Sequence, residues 1–145
     1  MIIKNNLIAI TIHALLCVFS FFTMFLSALI GKLNLSFQVL IFSIFTLVIL
    51  LFYFLLSRLF LKKTHGFMNN IFSVSALLII NIIGMLLAHL SMIFIFTNYS
   101  FFMIIFFIYG NPKVFEPIQM IIYWLCALLP SFAIWLGMIT KKTKE

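Results

Sequence analysis

Charged residues are scarce in this sequence, and acidic residues are nearly missing. Only 8% of the 145 residues are charged, and the two acidic residues are Glu116 and Glu145. A proton-coupled carrier generally keeps a carboxylate near the middle of the membrane, where protonation and substrate binding compete. Neither glutamate lies inside a long apolar run, so the sequence lacks the carboxylate on which that mechanism usually depends.

Reactive groups are equally sparse. The two cysteines, Cys17 and Cys126, lie inside apolar runs, far apart and outside any CxxC pair. We interpret them as small packing residues, because thiol oxidation would need paired cysteines. The sequence also has no nucleophile–base–acid set, no phosphate-binding loop and no zinc-ligand spacing. We therefore expect a protein that is not an enzyme and that carries no metal or other cofactor.

What the sequence does contain is apolar residues, which make up 66% of the chain. They form four long runs, at about 7–30, 37–61, 71–96 and 118–140. Each run is at least as long as the roughly 20 residues with which an α-helix crosses about 30 Å of hydrocarbon. A soluble domain could not cover so much apolar surface. The sequence therefore predicts an all-α integral membrane protein, a single domain of residues 1–145, with four transmembrane helices in an antiparallel bundle.

Basic residues are distributed unequally between the two sides of these four spans. One side receives two, Lys32 and Lys113. The other side receives seven, which are Lys4, Arg58, Lys62, Lys63, Lys141, Lys142 and Lys144. Because short cytoplasmic loops are enriched in Lys and Arg, we predict a multi-pass plasma-membrane protein with both termini cytoplasmic. The net charge of +7 then reflects topology and contacts with lipid headgroups, and no nucleic-acid partner is expected.

The inner connection between the second and third runs carries signals for helix ends. Lys62 and Lys63 followed by Gly66 are typical of a helix C-terminus. Asn69 or Asn70 is expected to cap the third helix. Trp135, near the inner end of the last run, has the placement of an aromatic-belt residue.

The outer connection at 97–117 is unusual, because its middle, 101–108, is strongly apolar yet too short to cross the membrane. Exposed irregular backbone is not tolerated in hydrocarbon, so a helix is favoured there. We predict a short interfacial helix, with a re-entrant segment or an extension of the third span as alternatives. Such a helix is either a docking surface for an outer partner or a linker resting on lipid.

Small and polar residues recur at steps of three and four along each run, which places them on one helix face. Because membrane helices pack through small residues, we expect these faces to point inward and the bulky Phe, Ile and Leu residues to face lipid. In chain order the four sets are Ala9, His13, Cys17, Ser20, Met24, Ser27 and Gly31; Ser36, Ser43, Thr46, Leu50 and Ser57; Ser73, Leu77, Asn81, Gly84, Ala88 and Ser91; and Gln119, Tyr123, Cys126, Pro130, Ala133 and Gly137.

Within these faces, Gly84 and Ala88 form the small-xxx-small pair at which we predict the closest helix approach. Pro130 removes a backbone hydrogen bond and is expected to kink the last helix, either as a static feature or as a hinge. Asn81 is the one strongly polar group near mid-membrane, and we expect it to bond across helices.

The ionisable residues predicted inside the membrane are His13 and His89. Helix rise places them about 18 Å apart along the membrane normal, too far to share a metal or a haem iron. We expect each to be neutral and bonded to a nearby backbone group or hydroxyl. His13 is the better functional candidate, because it lies on the inward face near cytoplasmic water.

These features favour a small non-enzymatic membrane protein that acts through contacts with another membrane protein or a second copy of itself. An accessory subunit and an immunity-type protein that shields a membrane target both fit. The alternative is a small transporter or a pore-forming, holin-like protein, whose path would be lined by His13, Asn81, Gln119 and Pro130. The richness in Ile, Phe, Asn and Lys is typical of an AT-rich coding sequence and indicates a bacterial source.

Overall fold

The computed structural model describes residues 1–30, 34–86 and 117–141, and within these ranges the chain is helical apart from short connections. The helices are α1 (Ile2–Ile30), α2 (Leu35–Phe60), α3 (Phe67–Phe72), α4 (Ser75–Leu86) and α5 (Pro117–Ile139). The all-α prediction is therefore confirmed for the described part of the chain. The outer connection at 97–117, with its apolar segment 101–108, lies outside the described residues except for Pro117, which begins α5.

Two helical segments are long and apolar enough to cross a membrane. They are Ile2–Ser20, within α1, and Leu35–Phe60, the whole of α2. Both carry large apolar side chains on their outer surfaces: Leu15 is 62% exposed and Leu47 is 65% exposed. The apolar segments Ser75–Gly84 and Ala127–Ile139 are shorter.

The third apolar run begins differently from the sequence prediction. Instead of one helix from residue 71, the structure has the short helix α3, a turn at Ser73 and Val74, and then α4. Ser73 and Val74 donate backbone hydrogen bonds to Asn69 and Ile71. The backbone therefore stays hydrogen-bonded as it turns between α3 and α4.

The second helix ends at this connection, as its basic residues predict, but Gly66 is not the stop and the predicted asparagine cap was wrong. Helix α2 already ends at Phe60, and its C-cap is Leu61 in an extended conformation. Gly66 instead precedes α3, with a φ of 89° that favours glycine. Because α3 begins at Phe67, Asn70 lies inside it, and no side chain caps its N-terminus.

The four longer helices pack around a common interior. Helix α2 contacts α1 and α5, and α4 contacts the same two helices. Fully buried apolar residues from three of these helices fill the space between them, and include Ile49, Leu77, Ile134 and Met138.

The predicted inward faces are largely buried where their side chains are described. Buried members are Ala9, His13, Ser20, Thr46, Ser57, Ser73, Leu77, Asn81, Pro130, Ala133 and Gly137. Helix α2 departs from the prediction, because Ser36 is exposed whereas Phe42, Ile49 and Tyr53 point inward. Small residues alone would leave voids between the helices, and these larger side chains supply the volume that close packing requires.

Candidate functional site

A network of asparagine side chains ties helix ends together at one end of the molecule. Asn5, near the start of α1, is 1% exposed. Its Nδ2 donates to the carbonyl oxygen of Lys62 at 2.7 Å, and its Oδ1 accepts from the Lys62 N–H at 3.2 Å. The same Nδ2 lies 3.3 Å from Ser73 Oγ and 3.7 Å from Met138 Sδ. Asn5 therefore holds together the start of α1, the chain after α2, the turn before α4 and the end of α5.

The neighbouring Asn6 satisfies the backbone at the break between α3 and α4. Its Nδ2 donates to the carbonyl oxygen of Phe72 at 2.7 Å, and its Oδ1 accepts from the Ala76 N–H at 3.0 Å. Interrupting a helix leaves carbonyl and N–H groups without intrahelical partners. One amide side chain from α1 thus pairs with a group on each side of the interruption.

Asn70 closes the connection that leads into α3. Its Oδ1 accepts from the N–H and the hydroxyl of Thr64, at 2.9 and 2.7 Å. Its Nδ2 donates to the carbonyl oxygens of Thr64 and Gly66. The buried residue predicted as a helix cap therefore organises the preceding loop.

Lys141 connects the ends of α5 and α2. Its ammonium group donates to the carbonyl oxygens of Leu59 and Leu61, both at 3.1 Å. Carbonyl groups in the last turn of a helix lack intrahelical donors and carry partial negative charge. A cation in this position stabilises the end of α2 and fixes it beside the end of α5.

His13 in α1 and Tyr53 in α2 form a buried polar pair in the interior between the helices. His13 Nδ1 and the phenolic oxygen of Tyr53 lie 2.8 Å apart, and their rings are stacked with centroids 5.9 Å apart. His13 is 7% exposed and Tyr53 is 2% exposed. The expectation that His13 bonds to a nearby hydroxyl is confirmed. His89 lies outside the described residues.

A second buried polar contact joins α4 and α5. Asn81 Nδ2 donates to Ser131 Oγ at 3.2 Å, and both residues are buried. This is the cross-helix bond that the sequence predicts for Asn81. Ser131 directly follows Pro130, which lies fully buried inside α5, and the helix continues on both sides of the proline.

A very close helix contact involves Gly137. A Cβ atom placed on Gly137 would overlap the hydroxyl of Ser57 and the carbonyl oxygen of Phe54. Helices α2 and α5 therefore approach each other so closely that only glycine fits. Gly84, predicted for this role, is partly buried in α4, and Ala88 lies outside the described residues, as does the side chain of Gln119.

Sequence reasoning missed Asn5, Asn6 and Tyr53, although signals for two of them were present. Asn5 lies four residues before Ala9 and so extends the inward face of α1 backward by one step. Tyr53 lies seven residues after Thr46, on the same face of α2. No periodicity identifies Asn6, because its partners exist only once the break between α3 and α4 has formed.

Trp135 lies in an aromatic cluster at the same end of the molecule as Asn5. Its ring meets Phe67 edge-on, with centroids 5.9 Å apart, and stacks on Phe132 at 5.8 Å. Its buried indole N–H has no hydrogen-bond acceptor among the described residues. The contact with Phe67 couples α5 to the beginning of α3.

An open hollow of about 600 Å³ lies between the start of α1 and the loop before α3. His65, which lines it, is exposed. It is lined by Met1, Ile2, Ile3, Thr64, His65 and Asn69. Across the side chains that the structure describes, no three His, Cys, Asp or Glu residues come together.

These features define a class: an all-helical protein with membrane-length apolar helices and a polar network at one end. Comparison with known proteins adds no narrower assignment, because no family profile, curated protein or solved structure matches this chain.

Proposed function

We propose that the chain is a small multi-pass membrane protein that acts without catalysis, by contacting another membrane protein. In this proposal all four apolar runs cross the plasma membrane as an antiparallel bundle, and both termini are cytoplasmic. Accessory subunits and immunity-type proteins work in this way.

The polar network at the helix ends supports this topology. The bonds of Asn5 and Lys141 bring the start of α1 beside the ends of α2 and α5. A chain that crosses four times returns to its starting side after the second and fourth spans, so these three ends belong together. The basic residues Lys4, Lys62 and Lys141 are then on one side, as the positive-inside rule requires.

One observation supports the proposed mode of action. In the described part of the chain, side chains fill the interior and its polar groups are hydrogen-bonded, whereas the outer helix faces are apolar and exposed. Ile49 and Ile134 fill the interior, and His13 and Asn81 already have hydrogen-bond partners. A substrate entering this space would have to break those bonds and displace the packed side chains. The exposed faces of α1, α2 and α5 can meet a partner at no such cost.

Site-specific photocrosslinking in native membranes tests this proposal. A photoreactive phenylalanine replaces Leu15, Leu47 or Phe132, which are exposed, and buried Ile134 serves as the matched control. We expect a discrete adduct of higher mass from at least one exposed position and none from Ile134. The proposal fails if all exposed positions react only with lipid and the protein stays monomeric in native-lipid nanodiscs.

Transport is the second candidate, and the contact between Asn81 and Ser131 favours it. This polar contact lies beside Pro130, where a hinge could break and remake it. In sealed proteoliposomes a transporter or pore releases entrapped ions or small solutes, and Asn81→Leu would change the flux. Vesicles that stay impermeable at high protein density would remove this candidate.

A further inference from the structure

The short helix α3 and the loop before it combine exposed positive charge with exposed apolar side chains. Lys62, Lys63 and His65 are exposed in the loop. Phe67, Met68 and Phe72 follow in α3, and their exposed fractions are 63%, 64% and 54%. We refer to residues 62–72 as the basic–aromatic segment. Within this segment Asn70 is buried and holds the loop through Thr64, whereas Asn69 is exposed.

The positive charge of this segment has no acidic counterpart in the described part of the chain. The only carboxylate side chains are Glu116 and Glu145, both outside the described ranges. Lys4 and Arg58 are also exposed at this end of the molecule. The described residues at this end therefore present positive charge, which attracts anions.

We propose that the basic–aromatic segment is a binding site for an anionic phospholipid, with the headgroup phosphate at Lys62 and Lys63 and an acyl chain against Phe67 and Phe72. Phosphatidylglycerol has the required chemistry. The neighbouring open hollow shares Thr64, His65 and Asn69 with this segment. This inference rests on the membrane embedding proposed above, but not on the identity of any protein partner.

The mixture of residues selects a lipid over a water-borne acidic protein. An acidic peptide could neutralise Lys62 and Lys63, but it would leave Phe67 and Phe72 in water. A phospholipid satisfies both, because its phosphate and its acyl chain are joined in one molecule. Basic residues beside membrane helices recognise anionic lipids in this manner.

Trp135 provides an intrinsic probe, because its ring packs edge-on against Phe67. The second tryptophan, Trp124, is removed by Trp124→Phe, so that emission comes from Trp135 alone. The purified full chain is reconstituted into phosphatidylcholine vesicles that contain either brominated phosphatidylglycerol or brominated phosphatidylcholine. Bromine quenches tryptophan on contact, so quenching reports which lipid occupies the site.

We expect brominated phosphatidylglycerol to quench Trp135 at much lower mole fractions than brominated phosphatidylcholine. Lys62→Gln combined with Lys63→Gln should reduce this preference by roughly 25-fold, at about one kcal/mol per lysine. The double variant keeps the backbone groups through which Lys62 pairs with Asn5. Circular dichroism verifies that it folds.

The matched control combines Lys32→Gln with Lys113→Gln, which removes the same charge from the predicted outer side. It should keep the lipid preference. Equal quenching by both lipids in the parent protein would overturn the proposal and favour an acidic protein partner. An equal loss of the lipid preference in the two double variants would also overturn it. Failure of membrane embedding is distinguishable, because neither brominated lipid would then quench and alkaline carbonate would extract the protein.

Discussion

The side chain of Asn5 pairs with the backbone of Lys62 through two hydrogen bonds, one to its carbonyl oxygen at 2.7 Å and one from its N–H at 3.2 Å. The two residues are 57 positions apart. Lys62 follows the end of α2, where the backbone has left the helix and needs new partners. One buried amide therefore both satisfies that backbone and fixes where the chain returns to the start of α1.

Replacing Asn5 with alanine should destabilise the protein. Asn5→Ala leaves the Lys62 backbone without this partner, and an unsatisfied buried group costs about 1–3 kcal/mol. Unfolding in mixed micelles of increasing SDS content, followed by circular dichroism, measures the change. The control is Asn69→Ala, which removes one exposed bond to the His65 carbonyl and should cost less than about 0.5 kcal/mol. Equal losses from both variants would contradict the special position of Asn5.

The pair formed by His13 and Tyr53 should show energetic coupling. In a double-mutant cycle of His13→Phe and Tyr53→Phe, we expect a coupling of roughly 0.5–2 kcal/mol, because the two rings share one buried hydrogen bond. The same SDS titration provides the four free energies of unfolding. Strict additivity of the two single changes would mean that the 2.8 Å contact contributes nothing to stability.

Adding a single methyl group at Gly137 should separate α2 from α5. In Gly137→Ala the new carbon overlaps the Ser57 hydroxyl and the Phe54 carbonyl, and overpacking of this kind costs about 1–3 kcal/mol. Val18→Ile also adds one carbon, but at an exposed position, and should leave stability unchanged. A Gly137→Ala protein with the stability of the parent would show that these helices pack less closely than described.

A charge placed halfway along α2 should impair membrane insertion. Leu47 and Leu59 are 65% and 67% exposed, but Leu47 lies near the centre of the helix and Leu59 near its end. Lys at the centre of a membrane helix costs about 2.5–3.5 kcal/mol, whereas near the end it reaches the headgroups. Leu47→Lys should therefore deplete the carbonate-resistant membrane fraction, and Leu59→Lys should not. If Leu47→Lys inserted as well as the parent, α2 would not span the membrane.

Much of the helical framework could be predicted from sequence, because it depends on local periodicity. Steps of three and four residues correctly placed Ala9 and His13 on the buried side of α1, and Leu77 and Asn81 on that of α4. The rule that small residues face inward failed on α2, where larger side chains fill the interior. Phe42 and Tyr53 point into the interior, because helix spacing, which periodicity does not encode, decides the size of side chain that fits.

The polar network could not be predicted in the same way, because its partners are distant in sequence and mostly backbone groups. Asn6 pairs with Phe72 and Ala76 only because the third run breaks at Ser73, and no residue there is a strong helix breaker. The close approach of α2 and α5 at Gly137 likewise depends on which helices are neighbours. A periodic pattern identifies the buried face of a helix, but it does not identify the helix against which that face packs.

Labelling of single cysteines in intact cells is the most direct test of the proposal that the chain crosses the membrane four times. In a background of Cys17→Ala and Cys126→Ala, one cysteine is introduced by Lys4→Cys, Lys32→Cys, Lys63→Cys, Lys113→Cys or Lys141→Cys. A membrane-impermeant maleimide should label positions 32 and 113 from outside, and positions 4, 63 and 141 only after permeabilisation. Labelling of positions 4 and 141 from opposite sides would contradict the four-span account.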